Sequence, residues 1–185
     1  MMRNSRYKFL LAMLAAAAVA LLLLTSLQSV RRTRECREWV VKDISWAVKE
    51  YAQYIRLYIG GNMSEVAAHL GSVASNKLQE NLVLISILNP AGRPTWSRMT
   101  EFSQNLHQLA VDMYIEPDHI DNESLSLLAD AMETLSSSLF QIVVDRKGRS
   151  VSPLTITQHK LRTVGLGLDN ATSILDKSSL RFSFR

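Results

Sequence analysis

Six residues around Pro117 have the side chains best suited to chemistry. Asp112, Glu116, Asp118, His119, Asp121 and Glu123 put five acids and one histidine within twelve residues. Carboxylates gathered in a loop are what a hard cation such as calcium takes as ligands. Asp118, His119 and Asp121 are the candidate metal ligands. The spaced order of a calcium loop, Asp-x-Asn/Asp-x-Asn/Asp-Gly followed by Glu, is absent. The plainer expectation is a helix junction, with Asp118, Asp121 and Glu123 capping the next helix and stabilising its dipole.

Other catalytic patterns are missing. His69, His107, His119 and His159 include no two at ligand spacing on one helix. Gly-x-Ser-x-Gly and a phosphate-binding glycine loop do not occur. Gly165-Leu166-Gly167 is too short for a dinucleotide fingerprint and sits inside a helical pattern, where the glycines would permit close helix packing or weaken the helix. No enzyme activity and no cofactor is expected from these residues. The single cysteine, Cys36, excludes an intrachain disulfide. It is expected as a free juxtamembrane thiol, with acylation or a bridge between two parallel copies as sharper readings.

Trp39 and Trp46 stand seven residues apart, on one side of a helix, and Tyr51, Tyr54 and Tyr58 follow. The tryptophans are expected in a bundle core. The alternative is an interaction surface made of Trp39, Trp46 and Tyr54.

The element that would position all of these begins with Phe9 to Leu24, sixteen residues without a polar side chain, extended by Thr25, Ser26 and Leu27. Nineteen residues of helix reach ~28 Å, close to the hydrocarbon thickness of a bilayer. A cleaved signal peptide shares the basic start, Arg3, Arg6 and Lys8, and Ala18-Val19-Ala20 resembles a cleavage site. That triplet lies inside the apolar run, which is longer than a typical signal core. A retained anchor is therefore expected. Lys and Arg on the two flanks do not decide its orientation. A short basic tail before a single anchor favours a cell-membrane protein with its large domain extracytoplasmic.

Charge divides the same way. Residues 1–38 hold seven Lys and Arg against two Glu, whereas residues 39–185 hold fourteen against fifteen acids. The basic flanks suit anionic headgroups. The remainder, with no basic stripe, is a poor nucleic-acid binder.

After the anchor, apolar residues recur at helical spacing in five segments. In the first, Val40, Ile44, Ala47, Tyr51, Tyr54 or Ile55, and Tyr58 form one face. Nothing breaks the helix between Ser29 and Val40, so the anchor and this segment are expected as one rod of ~75 Å ending at Gly60-Gly61. The second opens at a capping box, Asn62 to Glu65, carries Val66, Leu70, Val73, Leu78, Leu82, Ile85 and Leu88, and stops at Asn89-Pro90. The third carries Met99, Phe102, Leu106, Leu109 and Met113 and ends at Pro117. The fourth carries Leu125, Leu128, Met132, Leu135, Leu139 and Ile142 and is expected to end near Lys147-Gly148. Residues 142–151 have a β-hairpin as their alternative. The fifth is expected after Ser152-Pro153, with Leu161, Val164, Leu168, Ala171 and Leu175 inward.

The expected fold is all-α: a single N-terminal transmembrane helix continuing into an antiparallel bundle of four to five long, coiled-coil-like helices. Its parts are a basic tail (1–8), an anchor (9–28), a bundle (29–178) and an irregular tail (179–185). The expected function is binding, as an assembly, scaffold or sensing accessory. The expected partners are the lipid bilayer and either a protein or a second copy, joined through the anchor and first helix. The alternatives are a secreted helical binding protein after signal cleavage and a membrane-surface enzyme.

Overall fold

The computed structural model describes residues 3–61, 64–116, 120–145, 147–151 and 156–180, with the side chains of residues 3–12, 15 and 178–180 left aside. Five α-helices follow one another: α1 (Arg3–Ile59), α2 (Ser64–Leu88), α3 (Arg93–Ile115), α4 (Asn122–Phe140) and α5 (Gln158–Leu180). A 3₁₀ turn, Pro90–Gly92, joins α2 to α3. Among the described residues the only β-pairing is one isolated bridge, Val144 to Ser150. The all-helical bundle expected from periodicity is present.

The chain divides into two compact units, residues 1–36 and 37–185. In the first, α1 exposes Leu21, Leu22, Leu23, Leu24 and Leu27 on all sides. The Thr25 hydroxyl donates to the carbonyls of Leu21 and Leu22, both at 3.0 Å, so this apolar stretch leaves that hydroxyl satisfied. Arg31 and Glu35 pair at 2.8 Å one turn apart. The expected transmembrane anchor is not supported by the described part, in which no helix is long and apolar enough to cross a membrane. Phe9, Leu10, Leu11, Ala12 and Ala15 of the apolar run lie outside the described side chains.

The second unit holds the core, and its hydrogen bonds fix the helix directions. Tyr51 on α1 donates to the Leu106 carbonyl on α3, and Tyr58 donates to that of Met113 at 3.2 Å. Equal steps along both chains make α1 and α3 parallel. Ser103 on α3 donates to the Ser75 carbonyl on α2, while Ala110 lies against Gly71, so α2 and α3 run antiparallel. Ser45 pairs with Ser136 and Arg56 with Asp130 and Glu133, which makes α4 antiparallel to α1. Gly167 meets Leu135, and Lys160 donates to the Ile142 carbonyl at 3.1 Å, which makes α5 antiparallel to α4.

Apolar stripes explain these helices. Every expected inward residue of α3, α4 and α5 is buried, as are Val40, Ile44, Ala47, Tyr51, Ile55 and Tyr58 of α1. In α2 the first half is out of phase with expectation. Val66 and Val73 are exposed, and Ala67, Ala68, Gly71, Ala74 and Ser75 face inward. At Gly71 the neighbour is the Tyr51 ring: a Cβ there would lie 3.5 Å from it, in van der Waals contact, so a side chain larger than alanine has no room. Gly92 is more tightly held. A Cβ there would fall 2.5 Å from Asn89 Nδ2 and Trp96 Nε1, so only glycine lets the turn pass between those side chains. Gly167 fulfils the expected close packing, whereas Gly165 faces open space.

Two boundaries differ from the sequence expectation. Helix α4 ends at Phe140, well before Lys147-Gly148. Ile142, Val143 and Val144 are β-branched and disfavour a helix, and Ile142 and Val143 turn into the core instead. A tight turn follows, closed by Val151 N–H donating to the Val143 carbonyl at 2.8 Å. Its tip needs glycine, since Gly148 has φ 74°. Helix α5 begins at Gln158. The Ser152-Pro153 start expected for it lies outside the described residues, as do the Asn62 cap and residues 181–185.

Candidate functional site

The first half of α1 within the second unit has an inward and an outward stripe. Val40, Ile44 and Ala47 point into the core. Trp39 and Trp46, offset from them, point out and are 66% and 55% exposed. The expectation that the tryptophans belong to the core therefore fails. The reason is phase: one heptad separates them, and the whole of that line lies opposite Ile44. Tyr54 does not join them; it is half-buried and packs against the core. Of the three residues expected as an interaction surface, the fold brings two together.

Helix α4 builds the wall beside Trp46. Ser45 donates to the Ser136 carbonyl at 2.9 Å, Ser136 donates to the Ser45 carbonyl at 2.8 Å, and the two hydroxyls are 3.0 Å apart. Two small, mutually satisfied side chains let α1 and α4 approach closely, and no polar atom of the pair is left unbonded. Above them lies an open groove lined by Trp46, Lys49, Glu133, Ser137, Phe140 and Gln141. Lys49 stands over the Trp46 ring, 5.6 Å from its centroid, a cation–π contact that holds both side chains. At the far end Arg56 bridges to Asp130 at 2.6 Å and Glu133 at 3.1 Å. Hydrogen bonds donated to the Glu133 and Asp130 carboxylates hold the Arg56 guanidinium above its already high range.

Phe140, Ser45, Ser136 and Glu133 were not singled out by sequence reasoning. Phe140 did carry a signal, because it is a large apolar residue off the Leu135–Leu139–Ile142 stripe. The serines carried none, since their pairing joins residues 91 apart in sequence.

The acidic cluster is described only in part. Asp118 and His119 lie outside the described residues. Asp121 caps α4, accepting from Glu123 N–H at 3.2 Å, Ser124 N–H at 3.3 Å and the Ser124 hydroxyl at 2.5 Å. Among the described residues no group of three or more His, Cys, Asp or Glu is placed to hold a metal ion. Cys36 is exposed and unbridged.

One histidine meets serines between α2 and α3. His107 Nδ1 is 3.1 Å from the Ser75 hydroxyl and 3.3 Å from that of Ser72. Ser75 donates its proton to the Ser72 carbonyl at 2.8 Å. With that proton committed to a backbone carbonyl, Ser75 is not in the donor arrangement toward Nδ1 that activates a serine. The trio reads as a polar seam between helices. Tyr51 is likewise structural. Burial, and secondarily the Asp112 charge, push its phenol far above the ordinary range, so it stays a neutral donor.

No protein-family model, curated protein or solved structure matches this chain.

Proposed function

We propose that this chain is a membrane-tethered helical bundle that acts by binding, through the face of α1 carrying Trp39 and Trp46. The observation that carries the reading is the exposure of two tryptophans on a helix whose core contacts are complete without them. Exposed tryptophan is costly to keep in water, and tryptophan is enriched among residues that dominate interfaces. Phe140 and the cation–π pair widen the same apolar surface.

The tether rests on the apolar run of residues 9–27. Its described leucines are exposed on all sides of the helix, a distribution that suits lipid better than water. Trp39 and Trp46 then serve an assembly, scaffold or sensing role at the membrane, with the large unit extracytoplasmic and no catalytic step.

The test is direct. Full-length protein expressed in cells is expected in the membrane pellet after alkaline carbonate washing, and a reporter enzyme fused after Arg185 is expected to be active outside the cytoplasm. Trp39→Ser with Trp46→Ser is expected to cut cross-linked partner recovery by about tenfold or more, while circular dichroism and the melting temperature stay unchanged. Recovery equal to wild type would remove the binding face. Release by carbonate would remove the tether.

A further inference from the structure

We infer that the partner of the Trp39–Trp46 face is a second copy of this chain, docked with the two α1 helices parallel and in register. The inference rests on the binding reading above and names the occupant of the same face.

Charge beside the tryptophans carries the argument. At about 100° per residue, Trp39 and Trp46 lie nearly in line along α1. Lys49 sits about 60° to one side of Trp46, and Glu50 and Asp43 sit about 40° and 60° to the other. The face is thus an apolar line with a cation on one shoulder and two anions on the opposite shoulder. None of Lys49, Asp43 and Glu50 forms an ion pair among the described residues. Lys42, on the basic shoulder, is neutralised by Glu38 at 2.7 Å.

Symmetry then selects one arrangement. A two-fold axis parallel to the helices sets the basic shoulder of one copy against the acidic shoulder of the other, on both sides of the interface. Trp39 meets Trp39 and Trp46 meets Trp46 along the centre. A two-fold axis across the helices gives the antiparallel pair instead, and there Lys49 faces Lys49 while acids face acids. Like charges set against each other across an interface suppress that pairing. The same face therefore attracts a parallel copy and repels an antiparallel one. Two copies tethered at their N-termini in one bilayer already share that direction, which raises their effective concentration.

Gln53 lies one heptad beyond Trp46 on the exposed line and reports the register. In the parallel pair the two Gln53 positions are level. In an antiparallel pair centred on Trp46 they are about 21 Å apart, too far for a disulfide. The experiment uses full-length Cys36→Ser, Gln53→Cys protein in membranes, oxidised with copper–phenanthroline and run without reductant. A cross-linked dimer is expected. Its yield should fall about tenfold with Trp46→Ser and also with Lys49→Glu, and should recover when Glu50→Lys accompanies Lys49→Glu.

Absence of the dimer from well-folded protein would overturn the inference, as would a dimer indifferent to Trp46 and to charge reversal. If no self-cross-link forms while Trp39→Ser with Trp46→Ser still abolishes recovery of another protein, the binding reading stands and the second copy is refuted. Loss of neither refutes both.

Discussion

Asp145 shows how one side chain organises a turn that the helical pattern does not specify. Its Oδ1 accepts from Lys147 N–H at 2.8 Å and Arg149 N–H at 2.9 Å, and its Oδ2 accepts from Arg149 Nε at 2.9 Å. The Arg149 backbone bond, above the other causes, holds the carboxyl below its ordinary value of 3.8. A carboxyl with a lowered folded pKa stabilises the turn at pH values above the unfolded pKa. That contribution is lost as pH falls through the folded value. The turn should therefore stay closed through the ordinary carboxylate range and open only in more acidic solution. The protection of the Lys147 and Arg149 amides, taken relative to the intrinsic exchange rate at each pH, is expected to fall on acidification, and Asp145→Asn should flatten that response. Protection that ignores pH in the wild type would mean that the backbone alone closes the turn. Lys42 and Ser150 meet at 2.5 Å, and Ser150 also donates to Glu38, so the turn is tied to α1 through these residues.

At the scale of elements, the decisive contact is the close approach of α1 and α4 at Ser45 and Ser136. Both side chains are buried, each in line with buried apolar residues of its own helix, Ser45 with Val41, Val48 and Ala52, and Ser136 with Ala129, Met132 and Leu139. A larger side chain at either position must push the helices apart or leave a rotamer minimum, typically at ~1–3 kcal/mol. Ser136→Leu is expected to lower stability by that amount in denaturant unfolding and to fill the floor of the groove beside Trp46. Unchanged stability would show that the helices are held elsewhere. Helix ends follow the same logic of local satisfaction. Helix α2 has no basic residue in its last turn, and Arg37 of α1 supplies one by donating from Nε to the Leu88 carbonyl at 2.5 Å. Asp121 does the equivalent work at the start of α4. The acidic cluster around Pro117, which suggested a cation when read as a composition, is in its described part a helix junction, with Asp112 and Glu116 at the end of α3 and Asp121 and Glu123 at the start of α4.

For the whole molecule, the core belongs to the second unit. Every buried hydrophobic residue in the described set lies between Val40 and Leu175. About 150 residues are enough for one cooperative core. A chain of residues 37–185 is therefore expected to fold alone, with a helical circular dichroism spectrum and a single unfolding transition at the same denaturant midpoint as the full chain. A shifted midpoint would show that residues 1–36 contribute to the stability of the core. The proposed tether makes a separate demand on those residues, an apolar surface long enough for a bilayer, and carbonate extraction of the full chain tests it.

The amino-acid order by itself determined the number and type of the helices and the inward residues of α3, α4 and α5. Heptad-like spacing is a local property, and any helix bearing it must bury that stripe. Stops at Gly60-Gly61 and Asn89-Pro90 were legible for the same reason. The tertiary structure alone decided what depends on neighbours distant in sequence. Alanine, glycine and serine, rather than Val66 and Val73, face inward on α2, where the Tyr51 ring and Ala110 lie against Gly71. The α4 helix stops at Phe140 because Ile142 and Val143 find better burial in the core than on a solvated helix. Trp39 and Trp46 face water because α1 has one buried side, already filled by Val40, Ile44 and Ala47, and a periodic pattern cannot say which of two apolar lines a fold will cover.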